Sequence, residues 1–337
     1  MKSKKFFLRL SVPFLFLMLT FFLFQGAVFA KTVLKMGHIF PVTLPVAKAA
    51  AMFAEEVKKR TNGNIEIKIY PASQLGKMKE LFGQHKMGSI QMSLTAYPVL
   101  ADVVPEYAVL IAGFLYKDWD HLNRVIEAPQ FGRAWDKKLI EGAGLRKLYH
   151  VYYGVRHLTT SETPVYSPAD LKGKKIRSVP NPYSMTIVNG LGATPTPVPF
   201  SETFNALRQG VVDGQENPLH SIWSMKFHEV QKYLILTGHQ IIANSCFISE
   251  NIWKKLSDSE KQAMIEAGKI VSEYGTRITF DTEAELLNKM KKYGLEVIGK
   301  EQGLNIDAFG EKTRKLSMEK LDGVKWPKGL ANKVGNF

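Results

Sequence analysis

Three polar residues in this 337-residue chain stand where they could do chemistry on a small anion. Arg177 falls near the end of a predicted strand in Lys174-Lys175-Ile176-Arg177-Ser178-Val179-Pro180, and Arg156 follows another through Gly154-Val155. A guanidinium at the carboxyl end of a strand in an open α/β sheet faces the crevice where ligands sit, and its planar fork matches a carboxylate with two parallel hydrogen bonds. The third residue is Asn217, in Gln215-Glu216-Asn217-Pro218. Proline biases the residue before it away from the helical region, so the amide is offered from extended backbone. The ordinary use of an isolated arginine is a surface ion pair, and pattern alone does not separate the two uses.

Other chemistries leave no trace. There is no G-x-S-x-G elbow, no glycine loop for phosphate and no H-E-x-x-H; His228-Glu229 begins a zinc motif that Lys232 breaks. The eight histidines are scattered without ligand spacing. Cys246, the single cysteine, lies in an apolar run and reads as core, with no disulfide partner. We therefore expect no metal, no cofactor and no catalysis.

The elements that must hold these side chains read as alternating α/β. Residues 33–37 form a strand, and Val46, Ala50, Phe53 and Val57 make the apolar face of a helix that stops at Asn62-Gly63. The pattern continues with a strand over 65–69, a helix over 77–87 and a strand over 90–94, which implies right-handed crossovers and parallel pairing. Further strands are expected at 145–153, 174–179, 194–199, 233–236, 240–248 and 295–298, with helices at 119–141, 182–190 and 256–290. Glycines 268 and 275 inside the last helix mark packing or bending. The remainder reads as helical and ends in a flexible tail.

The block 192–218 is the most distinctive stretch. A proline-stiffened segment leads to a helix over 202–209, with Ser201 as N-cap, Glu202 in the first turn and Gly210 beyond the end. Asp213-Gly214 then turns the chain, and Gln215 to Asn217 are expected in that polar turn.

Length and charge bound the class. The first nine residues carry four cations and no acid, an apolar run spans 10–24, and small residues end at Ala30: the layout of a cleaved secretory signal peptide. Cleavage after Ala30 leaves 307 residues, enough for two lobes, and lowers the formal charge from +14 by those four cations to +10. The lysines are spread over helix faces with no aromatic-basic motif, so a nucleic-acid partner is not expected.

Pro199-Phe200-Ser201-Glu202, the run from Ala206 through Asp213-Gly214-Gln215-Glu216-Asn217-Pro218, and Leu171-Lys172-Gly173-Lys174-Lys175-Ile176-Arg177 closely resemble the extracytoplasmic solute-binding proteins of tripartite ATP-independent periplasmic (TRAP) transporters. The likeness extends through Tyr70-Pro71-Ala72-Ser73-Gln74-Leu75-Gly76, Gly154-Val155-Arg156 and Phe227-His228-Glu229-Val230-Gln231-Lys232-Tyr233, over nearly all of the exported chain.

The resemblance implies a two-lobed α/β periplasmic-binding-protein fold: a mostly parallel sheet in each lobe, crossing strands as hinge, and a long C-terminal helix spanning both lobes. The expected division is a signal peptide at 1–30, lobe I at 31–153 and 243–285, lobe II at 154–242, and a C-terminal helical segment at 286–337. It also implies a monomer in the periplasm that closes on a small carboxylate ligand and delivers it to the membrane permease subunits. Arg177 would be the main carboxylate partner, with Arg156 and Asn217 assisting. His38, Phe40, Tyr97, Tyr152, Tyr153, Tyr183 and Phe200 are candidate wall residues. No acidic residue falls in Leu94-Thr95-Ala96-Tyr97, where sialic-acid-binding members of that family carry one, and an aromatic Tyr153 precedes Gly154. Both departures favour a compact acid with an apolar or aromatic body. A ligand-sensing protein on the same scaffold is the alternative.

Overall fold

The computed structural model describes residues 31–337; the signal-peptide assignment falls on 1–30, outside the described residues. Among the described residues no helix is long and apolar enough to cross a membrane.

Alternating apolar side chains, Leu34 and Met36 on one strand and Ile65 and Ile67 on its neighbour, build one side of the sheet. β1 (Thr32–Gly37) lies between β2 (Ile65–Tyr70) and β3 (Met92–Ala96), all parallel, as βαβ crossovers require. The first crossover is helix α1 (Pro45–Arg60), which buries Val46, Ala50, Phe53 and Val57. The other side repeats this arrangement with β5 (Lys175–Ser178), β6 (Thr194–Pro197) and β7 (Gly214–Pro218), also parallel. The prolines of β6 are tolerated because it is an edge strand and needs donors on one side only.

Two long strands join the halves. β4 (Leu145–Thr160) has 16 residues and β8 (Tyr233–Ser249) has 17; they pair antiparallel in the order β2-β1-β3-β8-β4-β7-β5-β6, with β9 (Glu296–Ile298) beside β8. The two parallel trios are therefore ends of one continuous mixed sheet. The sequence reading ended the first crossing strand at Tyr153, just before Gly154, and broke the second in two at the stretch containing Gly238. Both glycines have positive φ, 123° and 57°, and the β4 register shifts between Tyr152 and Gly154, so what looks like a strand end is a bulge. The block 214–218 is likewise a buried strand, where a polar turn had been expected. Its polar side chains find partners across the sheet, which the local sequence does not reveal.

Helix α9 (Asp258–Tyr293) runs 36 residues from its Ser257 capping box. It packs on α1 and β4 at one end and on the short helix α7 (Leu219–Ser224) at the other, and so touches both halves. Gly268 and Gly275 serve close packing: a Cβ on Gly275 would lie 2.7 Å from Val151 and 2.9 Å from Ala49. Farther along, Glu283 accepts from Tyr152 Oη at 3.0 Å and from the backbone N–H of Val155 at 3.1 Å, gripping β4 at its bulge.

The C-terminus is docked, not a flexible tail. Val334 is fully buried, its carbonyl accepts from His121 Nε2 at 2.8 Å, and Phe337 packs on Phe131. Cys246 is a buried thiol in the large apolar core of the β1 side, as its sequence context predicts. Smaller cores form around Ile187 and Phe309, and around Ile222 and Phe227.

Most histidines are interior groups. Burial lowers His38, His85 and His220 to about 4, and His150 to about 3, so all are neutral in the folded protein near pH 7. As pH falls below about 6.5 the unfolded chain takes up protons that the folded chain refuses. Stability present above that pH should therefore be lost between about 6.5 and 4, by up to about 1.4 kcal/mol per pH unit for each such histidine. Thermal melts at pH 7.5, 6, 5 and 4 should show a progressive fall in Tm; a flat profile down to pH 5 would contradict this burial. At the hinge, Gly154→Ala would place a methyl 2.8 Å from Pro218 Cβ and 2.9 Å from Glu283 Oε1 at a φ that disfavours side chains. Chemical denaturation should show a loss of about 1–3 kcal/mol.

Candidate functional site

The cleft opens where the two halves of the sheet meet, with a volume of about 480 Å³. On the β5 side it receives the carboxyl end of that strand, with Arg177, Val179 and Pro180, and then the start of helix α5 (Pro182–Gly190) with Asn181 and Ser184. Asn181 Oδ1 accepts from the Ser184 N–H, and Pro182 takes the first turn, where its missing donor costs nothing. The positive end of this helix faces the cleft and favours an anion there.

Arg177 is only 1% exposed. Its Nε donates to the Val198 carbonyl at 2.8 Å, while Nη1 is buried with no protein partner. Burial lowers the guanidinium to about 10 against the raising pull of Glu216, so it stays charged at neutral pH. A buried cation with an unused donor is costly unless an anion completes it.

Arg156 also lines the cleft but is already committed. In the antiparallel β4–β7 pair, Arg156 sits opposite Pro218 and Leu158 opposite Glu216, so the arginine and the glutamate are diagonal neighbours. Arg156 Nε donates to the Glu216 carboxylate and Nη2 to its backbone carbonyl. His239 Nε2 lies 3.2 Å from the same carboxylate. Burial would raise Glu216, but Arg156 and His239 override it and hold the carboxyl at about 2. Glu216 is thus ionised and its charge is spent on Arg156.

Asn217 lines the cleft from β7, with Nδ2 donating to Gln215 Oε1 at 2.6 Å. Gln215 donates in turn to Thr159 Oγ1 at 2.9 Å, and Thr159 to Gln231 Oε1 at 2.9 Å. This chain of bonds fixes the Asn217 amide and explains how a strand of Gln, Glu and Asn can be buried.

Of the aromatic candidates, Phe40, Tyr153 and Phe200 line the cleft. Tyr153 Oη is 2.8 Å from Ser221 Oγ, and its ring packs against Phe40 and His220. The other four lie outside the lining. Tyr97 stacks on Tyr107 and its hydroxyl accepts from Ser245 at 2.8 Å. Tyr152 turns to the opposite face, stacked on Phe280 with its hydroxyl on Glu283. Tyr183 is packed into the large core, and His38 sits behind Phe40, whose N–H donates to Nδ1 at 3.2 Å. Strand alternation sends neighbours such as Tyr152 and Tyr153 to opposite faces, and the register that chooses between them is tertiary.

Sequence reasoning missed the polar lining on β8. Gln240, Ile242 and Asn244 alternate along that strand and all face the cleft. The signal was present as two polar residues, Gln240 and Asn244, on one face of an otherwise apolar run. It also missed Lys77, which lines the cleft and pairs with Glu202, the neighbour of the lining residue Ser201, with Nζ 2.5 Å from Oε1. Among the described residues no cluster of metal-ligating side chains occurs.

An α/β molecule of two halves, joined by crossing strands around a cleft with a buried, incompletely paired guanidinium, has the build of a binding protein for small anions. Residues 36–319 match the family described as bacterial extracellular solute-binding protein, family 7, and the chain belongs to that family. It is 35% identical over 273 residues to the sialic acid-binding periplasmic protein of Vibrio cholerae, covering 81% of this chain and 84% of that one. A TRAP periplasmic solute-binding protein of Roseobacter denitrificans, solved with bound L-galactonate, superposes with a TM-score of 0.83 at 30% identity, covering 90% of this chain and 98% of that one. One from Sulfurospirillum deleyianum with bound succinate gives 0.82 at 28% identity, with the same coverage of both chains.

The Arg177 geometry makes a direct prediction. Arg177→Lys keeps the charge but loses the fork, and should weaken carboxylate binding by about 2–3 kcal/mol, roughly 30- to 150-fold in Kd by calorimetry. Arg177→Ala should abolish tight binding while the Tm of the ligand-free protein stays nearly unchanged. Normal binding by the alanine variant would remove Arg177 from the site.

Proposed function

We propose that this protein is exported, captures a small organic acid in the cleft by hinge closure, and delivers it to the membrane permease of a TRAP transporter. The observation that carries the reading is the buried Arg177 guanidinium with a free Nη1, beside an Arg156 whose charge Glu216 already balances. The site therefore has unmet demand for one carboxylate.

Arg177 binds the acid group, and Asn217 and Arg156 complete its surroundings. Phe40, Tyr153 and Phe200 cover the body of the ligand. The hinge lies at Gly154 and Gly238 of the crossing strands, with lobe I at 31–153 and 243–285 and lobe II at 154–242. The Lys77–Glu202 pair joins the two sides of the mouth, so it forms only when the cleft is shut. Ligand drives closure through the contacts it gains in the closed form. The chain works as a monomer without cofactor or catalysis, after removal of residues 1–30 at Ala30.

A thermal-shift screen of organic acids tests this reading. A bound acid at 100 times its Kd should stabilise the protein by about 2.7 kcal/mol, and mass spectrometry should recover it unchanged. A screen in which no carboxylate raises Tm would sink the proposal. Glu202→Gln should speed ligand release measured by stopped flow while leaving the association rate nearly intact, since the mouth contact acts after capture. An unchanged release rate would remove the pair from the closing mechanism.

A further inference from the structure

The cleft holds a second group without a protein partner, on the opposite side from Arg177. Asn244 is 1% exposed, lines the cleft from β8, and both Nδ2 and Oδ1 are buried without a hydrogen bond. Its backbone sits opposite Ala96 of β3 and Val151 of β4, on the β1 side of the hinge. A buried amide with both polar atoms unpaired is costly in any folded protein, and such groups occur where something else completes them.

We propose that Asn244 is a specificity-determining residue that hydrogen-bonds a hydroxyl group of the ligand, so that the acid taken is a hydroxylated one. The proposal rests on Arg177 being the carboxylate site. The amide sets an NH2 donor beside a carbonyl acceptor, and hydroxyl groups can both accept from the first and donate to the second. A second carboxylate satisfies only Nδ2 and sets its own negative oxygens against Oδ1. Nor do the cations lining the cleft welcome a second carboxylate at depth. Arg156 is paired with Glu216, Lys77 with Glu202, and Lys79 lies exposed. An alkyl chain leaves both amide atoms unmet. A polar site of this kind rejects the analogue lacking the hydroxyl more strongly than an apolar wall rejects an extra one. This reading differs from the compact acid with an apolar or aromatic body expected from the sequence: Phe40, Tyr153 and Phe200 cover the ligand, while Asn244 reads its far end.

The test uses residues 31–337 and calorimetry with two matched sets of sodium salts. The four-carbon set is D-erythronate, butyrate and succinate; the six-carbon set is L-galactonate, hexanoate and adipate. At least one hydroxylated acid should bind tenfold or more tighter than its unsubstituted and dicarboxylic partners. Asn244→Leu, which keeps the size and removes both polar atoms, should reduce that affinity at least tenfold and leave the binding of butyrate and hexanoate within threefold. Asn244→Ser is measured alongside, so that a leucine variant that fails to fold leaves the question answerable; it should show intermediate affinity for the hydroxylated acid. If succinate or adipate binds tightest, or if both variants keep full affinity for the hydroxylated acid, this inference fails while the carboxylate site stands. If none of the six acids binds to wild type, the carboxylate reading itself fails.

Discussion

The structure turns on how one carboxylate is shared between two buried guanidinium groups. Glu216 could in principle serve Arg156 or Arg177. Strand pairing places it diagonally from Arg156, and His239 holds it from the other side. Arg177, on β5, is left with a single backbone carbonyl and the dipole of a helix start. Burying a cation so incompletely is unfavourable for the isolated protein, and under the proposed function an incoming anion relieves that deficit. Had the glutamate paired with Arg177, the cleft would be an internally satisfied seam. On the function proposed above, the allocation of this one charge is what leaves the cleft able to take an anion.

That allocation depends on a sheet that is continuous and yet locally irregular. β4 and β8 supply both requirements, because their pairing keeps the two halves in one hydrogen-bonded layer while register shifts near Gly154 and Arg156 loosen it locally. The long helix α9 lies against both halves and holds the bulge through Glu283. Its carboxyl is raised by burial, and it still accepts from Tyr152 and Val155. The bulge is therefore a supported irregularity. Around it, side chains on β4, β7 and β8 reach the cleft in alternation, and Arg156, Asn217, Gln240 and Asn244 come together from residues almost 90 positions apart in the chain.

Much of this was legible from local pattern. The 3.6-residue repeat of Val46, Ala50, Phe53 and Val57 marked α1, the alternating isoleucines marked β2, and the stretch 256–290 was read as the long helix. Arg177 could be placed at a strand end because strand and proline are both local signals. The extended backbone of Asn217 followed from Pro218 alone. Gly154 and Gly238 misled, because a glycine with positive φ looks the same in sequence whether it ends a strand or bulges one. The expected N-cap at Ser201 also missed: residues 200–202 form a 3₁₀ turn, and the α-helix begins at Thr203 without a side-chain cap.

By itself the sequence determined the alternation of strands and helices, the parallel pairing it entails, the family, and the presence of arginines at strand ends. These rest on interactions within a few residues, or on motifs long enough to be distinctive. Only the tertiary structure decided which arginine would be neutralised, which of two adjacent tyrosines would face the cleft, and that Asn244 would be buried unpaired. Those outcomes depend on register and on pairings across β4, β7 and β8. A shift of one residue in that register reverses every side chain's face, and nothing local fixes it.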